Sequence, residues 1–141
     1  MGVNFRDVKK KDGLYGPTAS GKYYLPNPVH NPTANPRKNK TRWIISEPHQ
    51  YCLFEEADLN NRIAPDGLLG LHIIEGKLQI LGENGEKLGF FPTPPNADEA
   101  WHGYPVKSQR LSDDFDEYFE EMLANNVILK RECSKLIRKQ I

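Results

Sequence analysis

Cysteine is scarce in this chain: Cys52 and Cys133 are its only two, with no C-x-x-C pair and no Cys/His metal spacing. That excludes a disulfide framework, which needs several bridges, and both thiols are expected to be reduced and buried as small hydrophobes. Cysteine usage of this kind points to a cytoplasmic protein. Long apolar runs are also missing, since no stretch approaches the roughly 18 to 20 residues of a bilayer span. The N-terminal stretch carries Asp7 and Lys9-Lys10-Lys11 where a secretory leader would be apolar. No membrane partner is expected. The four histidines, His30, His49, His72 and His102, share no ligand spacing, so neither a metal nor a cofactor is expected.

Net charge is absent as well, with 19 Lys and Arg against 19 Asp and Glu, but the balance is made of unlike parts. Residues 1–42 hold nine basic side chains against two acidic ones, residues 43–126 hold sixteen acidic against five basic, and the last fifteen residues are basic again. Asymmetry of this kind concerns partners and steering, because surface potentials follow the distribution of charge and not its total.

Proline and glycine, at eleven each, are plentiful and unevenly placed. Residues 1–41 read as an extended basic arm, with Asn-Pro at 27–28, 31–32 and 35–36 initiating turns and biasing the chain away from helix. Tyr15, Tyr23, Tyr24 and Leu25 are too apolar for a free tail, and the Lys22–Leu25 patch is expected to lie against the folded body. Within the arm, Gly16-Pro17-Thr18-Ala19-Ser20-Gly21-Lys22 matches most of the phosphate-binding G-x-x-x-x-G-K-[ST] loop. That loop needs a strand before it, a Ser or Thr after the lysine and a helix behind it. Here Lys9-Lys10-Lys11 precedes, Tyr23 follows and Pro26 and Pro28 forbid the helix, so nucleotide binding is excluded.

Residues 42–141 read as a single α+β domain. Arg42–Ser46 and Gln50–Glu55 are β-rich runs interrupted at Glu47-Pro48, and predict two short strands. Leu69–Ile74, Lys77–Leu81 and Lys87–Phe91 predict a three-stranded meander, its last turn at Asn84-Gly85. Together they make a mainly antiparallel sheet of about five strands. Ser112 is a candidate N-cap, and apolar residues from Phe115 to Leu123 recur at helical spacing. A second helix is expected between Val127 and Ile141, so two C-terminal helices pack on one face with the Pro/Asn-rich arm laid along the sheet.

The stretch from Pro92 to Val106 is the strongest candidate for a functional surface. Pro92, Pro94, Pro95 and Pro105 stiffen it, and it sets Trp101, His102 and Tyr104 within four positions. Trp101 and Tyr104 serve equally well as caps on the end of the sheet, with His102 bonded to a carbonyl. The carboxylates Glu55, Glu56 and Asp58 read as a solvated rim.

The expected function is that of a small non-catalytic binding or regulatory protein. It engages a macromolecular partner through the 92–106 loop (Trp101, His102, Tyr104) and the basic arm (Arg37, Lys38, Lys40, Arg42). Interleaved tyrosines and cations suit a nucleic acid along residues 1–42, but no nucleic-acid fold signature is present and the acidic body repels a polyanion, so a protein partner ranks first. The alternative is a metal-independent nuclease of the toxin type acting on RNA, with His49 and His102 as acid/base pair, Tyr104 beside them and Arg42 stabilising the phosphate.

Overall fold

The structure is a computed structural model that describes residues 3–35 and 40–141. Arg37 and Lys38, two of the candidate binding residues, lie outside the described residues. The architecture is α+β, in three layers around a four-stranded antiparallel sheet.

The sheet contains β1 (Ile63–Ala64), β2 (Gly67–Gly70), β5 (Leu88–Pro92) and β6 (Tyr104–Val106), in the order β1-β2-β5-β6. A separate hairpin of β3 (Ile73–Ile74) and β4 (Lys77–Leu78) stands apart from it. The expected meander is therefore corrected: the chain leaves the sheet after Gly70 and returns at Leu88, so β2 pairs with β5, Leu68 opposite Phe91 and Leu69 opposite Phe90. Asn84-Gly85 still makes its turn, with Gly85 at a φ of 84°, but the turn sits ahead of β5 and does not join two strands of one sheet.

A second correction concerns residues 42–55. Trp43 makes only an isolated bridge to Gly82, and the run expected as a strand over 50–55 lies within an α-helix, α1, Glu47–Leu59. Ser46 is its N-cap in extended backbone, and Pro48 falls in the first turn, where a missing N–H costs nothing. Gln50 through Phe54, with Ala57 and Asp58, are all buried, so the helix shows no polar face in this stretch. A helix buried nearly all round carries no 3.6-residue alternation and resembles a core strand in sequence.

Alternation along the strands sends Leu69, Leu88 and Val106 to one face of the sheet, where they join Phe115, Phe119, Met122, Cys133 and Leu136 in one core cluster. Those residues belong to or flank α2 (Asp116–Ala124) and α3 (Lys130–Ile137), the two C-terminal helices. Ser112 caps a short 3-10 turn over Asp113–Phe115 that leads into α2, and does not cap α2 itself.

The opposite face is covered by α1 together with the arm. Tyr15, Tyr24, Trp43, Leu53, Phe54, Leu68, Phe91 and Trp101 form its core cluster. Tyr15 and Tyr24 pair as an antiparallel bridge, and Tyr24 also bridges in parallel to Trp101. Tyr24 is fully buried, and its hydroxyl donates to the Gln50 side chain at 2.9 Å.

Candidate functional site

The arm and the 92–106 stretch meet at a cleft of about 760 Å3 lined by His30, Lys40 and Thr41 from the arm, Glu83, Asn84 and Glu86 from the turn before β5, and Tyr104–Val106, Lys107, Gln109 and Arg110. Local sequence explains each wall. Asn27 caps the 3-10 turn Pro28–His30, its side chain accepting the Val29 N–H at 3.2 Å, so the Asn-Pro signal does make a turn and leaves His30 at its end. The His30 carbonyl accepts the Trp43 N–H at 2.8 Å, tying the two legs of the arm together. Tyr104 lies on β6 opposite Phe90, and Ser108, fully buried, anchors the turn that carries Gln109 and Arg110 by bonding the Ile141 backbone.

His30 is the best-defined group in the cleft. It is 6 % exposed, stacks on Tyr104 at 5.3 Å between ring centroids, and its Nδ1 lies 2.7 Å from the Thr41 carbonyl. A carbonyl only accepts, so in the neutral ring Nδ1 carries the proton and Nε2 keeps its lone pair. Among the described residues nothing hydrogen-bonds to Nε2. Burial holds the imidazole below its ordinary pKa, the Thr41 carbonyl works against that shift, and Lys40 adds to it. Burial likewise raises the Tyr104 phenol, which Arg110 opposes and Asp66 reinforces.

The charges around these rings are lopsided. Arg42 pairs with Glu83 and also donates to the Ala34 carbonyl at 2.7 Å. Glu86 is buried, and its Oε1 accepts the Asn84 N–H at 2.9 Å within its own turn. Lys40, Lys107 and Arg110 have no carboxylate partner among the described residues and are exposed. The cleft thus presents unpaired cations against carboxylates that are already engaged.

The other candidates fall elsewhere. Trp101 is buried against Phe54 with Lys22 Nζ above its ring, its backbone N–H donates to the Tyr23 carbonyl at 2.8 Å, and its backbone carbonyl accepts the Leu25 N–H. His102 is exposed, with Nδ1 2.7 Å from the Leu25 carbonyl. His49 sits on α1, its Nε2 3.4 Å from an Asp7 carboxylate oxygen and its ring 5.0 Å from Phe5. Phe5 also meets His72 edge-on. Among the described residues no hydrogen bond or ring contact joins His49 to His102, or either to Tyr104. Cys52 is buried, its Sγ accepting the Arg6 N–H at 3.4 Å.

The carboxylates Glu55, Glu56 and Asp58 of α1 are not a solvated rim: Glu55 pairs with Arg6, Glu56 with Arg62, and Asp58 with Lys22. Asp58 Oδ1 and Oδ2 both accept the Ser20 hydroxyl at 2.8 Å, and Oδ2 also accepts the Ser20 N–H at 3.2 Å. The loop that mimics a phosphate cradle in sequence therefore closes on a carboxylate of the same chain. The sequence reading missed His30, Lys107 and Arg110. His30 and Tyr104 lie 74 positions apart, and no spacing rule links residues at that range. Among the described residues no group of three His, Cys, Asp or Glu side chains could hold a metal ion, and no helix is long and apolar enough to cross a membrane.

Fold and cleft together define an α+β protein with a cationic, histidine-backed groove at the crossing of its arm and its sheet. No protein-family model, curated protein or solved structure matches the chain.

Proposed function

We propose that the protein is a non-catalytic binding or regulatory protein that engages an acidic protein partner where the arm crosses the 104–110 segment. The observation that carries this reading is the cleft: both segments expected to bind contribute to it, and three of its cations, Lys40, Lys107 and Arg110, have no partner among the described residues. Charges left unpaired at a concave surface steer and orient an oppositely charged partner. The 43–126 segment holds sixteen acidic side chains against five basic ones, which disfavours an extended polyanion along the body and favours a partner whose negative charge is local. RNA cleavage by His49 and His102 would need two groups that stand in separate surroundings, so binding is the reading supported.

The test compares wild type with Lys107→Glu/Arg110→Glu. Both residues are exposed, so the double variant should melt within a few degrees of wild type. Its association rate with an acidic partner protein should fall, and the salt dependence of that rate should flatten. Unchanged association at low salt overturns the assignment of the cleft.

A further inference from the structure

We infer that the cleft is a phosphate-monoester site, in which His30 Nε2, Lys40, Lys107 and Arg110 take one dianionic group carried on a side chain of the partner protein. This rests on the binding function proposed above and names the chemistry that the cleft selects.

Charge comes first. A phosphate monoester carries about −1.5 to −2 near neutral pH and three acceptor oxygens, whereas a carboxylate carries one charge on two oxygens. Three unpaired cations around one groove match the former and would be left under-compensated by the latter. Glu83 is tied to Arg42, while Glu86, bonded to the neutral Asn84 N–H, keeps its formal charge, so three cations against one uncompensated carboxylate leave the cleft with a formal +2 that matches a dianion. The arginine adds the planar fork that fits two phosphate oxygens at once.

Histidine supplies the second argument. With Nδ1 held by the Thr41 carbonyl at 2.7 Å, Nε2 offers a bare lone pair at the edge of the groove. A carboxylate at neutral pH has no proton to give it. A phosphate monoester has a second pKa near 6, so it reaches the site with a fraction of its P–OH protons in place and donates one to Nε2. Alternatively the bound dianion, with about twice the charge of a carboxylate, more strongly favours uptake of a proton from solvent onto the imidazole, which then donates from Nε2 to a phosphate oxygen. Either way a single proton lies between His30 and the ligand, shared with no carboxylate, while Tyr104 holds the ring from one face at 5.3 Å. The titratable and charged groups that line the cleft with His30 are Lys40 from the arm, Glu83 and Glu86 from the turn before β5, and Tyr104, Lys107 and Arg110 from β6 and its following turn. The volume of about 760 Å3 lies inside the roughly 300 to 1,000 Å3 of ligand sites, enough for a phosphorylated side chain and its neighbours.

The experiment titrates the full chain with inorganic phosphate, with O-phosphoserine in a short acidic peptide, with the same peptide unphosphorylated or bearing glutamate, and with single-stranded RNA, while following the His30 imidazole resonances by NMR. Phosphopeptide should bind at least about tenfold tighter than the glutamate peptide, the difference of one charge-assisted hydrogen bond. It should shift His30, and inorganic phosphate should compete. Arg110→Ala and Lys107→Ala, both exposed, should each weaken phosphopeptide binding with unchanged melting. His30→Gln should abolish the preference for phosphate over glutamate, and wherever that variant melts low the Arg110→Ala result decides. Equal binding of the phospho and glutamate peptides leaves the acidic-partner reading standing and overturns the phosphate site. Loss of binding to every peptide overturns both. RNA binding tighter than the phosphopeptide, or inorganic phosphate binding with no gain from the peptide, overturns the protein-borne source.

Discussion

Asp58 is the residue on which the arm's loop is fastened. Its side chain is 4 % exposed and meets Lys22 Nζ at 2.8 Å. Burial by itself would raise its pKa, but hydrogen bonds from Lys22, Thr18 and Ser20 outweigh burial and hold the carboxyl below its ordinary value. A depressed folded-state pKa means the stabilisation is complete above the unfolded-state value of about 4 and is lost as pH falls through the folded value. Asp58→Asn should therefore cost about 1.5 to 3 kcal/mol at pH 7, as loss of charge-assisted hydrogen bonds does. In melts from pH 7 to pH 2 the gap between wild type and variant should close at the acid end. A gap that stays constant would show that the charge contributes nothing. Trp101 and His102, adjacent in sequence, should behave oppositely. Trp101→Ala removes a buried indole and should destabilise by about 3 to 5 kcal/mol, while His102→Ala removes an exposed ring bonded to one carbonyl and should shift the melting temperature by only a few degrees. Equal losses in the two melts would mean that His102 is as structural as Trp101.

Between elements, α1 approaches the sheet closely. Gly70 on β2 and Gly89 on β5 are cross-strand partners, and a methyl on either would meet Leu53 of α1, at 2.7 and 2.8 Å. Two glycines side by side open a slot in the pleat, and Leu53, fully buried, fills it. Gly70→Ala should force α1 outward and cost about 1 to 3 kcal/mol. The smaller Leu53→Ala/Gly70→Ala pair should cost less than the sum of the two singles, since the new methyl enters the space that Leu53 leaves. Strict additivity in thermal melts would place α1 elsewhere. The two large aromatics of α1 reach in different directions: Phe54 packs 5.1 Å from Phe91 and 5.7 Å from Trp101 between centroids, and Tyr51 stacks on Tyr15 of the arm at 5.7 Å.

Across the whole molecule, the arm and the body share one core. Tyr15 and Tyr24 are buried in the same cluster as Leu53, Phe91 and Trp101, and the Leu25 and Trp101 backbones are bonded. Tryptic cleavage near Lys40, an exposed residue at the edge of the cleft, is thus expected to leave two pieces that remain associated. Native size-exclusion after limited digestion should show a single peak with the mass of the intact chain, and denaturing gels two bands. Separate elution of the small piece would mean that the arm is held only by its covalent link. Because the cleft has one wall from the arm, the nicked protein should keep its affinity for the partner as long as the pieces co-elute.

Local chemistry was enough to read the class of this protein and several of its parts. The C-terminal helices show 3.6-residue periodicity because each buries one face against the sheet, and the Asn-Pro pairs at 27–28 and 31–32 mark turns because proline and its predecessor have few backbone choices. The insufficiency of the Gly16–Lys22 loop as a phosphate cradle followed from the residues on either side of it. What the tertiary structure alone decided is of another kind. α1 is enclosed by the sheet and the arm together, so its apolar residues surround it and the helical period vanishes from the sequence. β2 pairs with β5 across a hairpin that leaves the sheet, a choice governed by packing on Leu53 and not by distance along the chain. The cleft joins His30 to Tyr104 and Arg110 because two remote segments cross there, and pairing between remote segments is fixed by the burial of Tyr24 and Trp101, which no local pattern encodes.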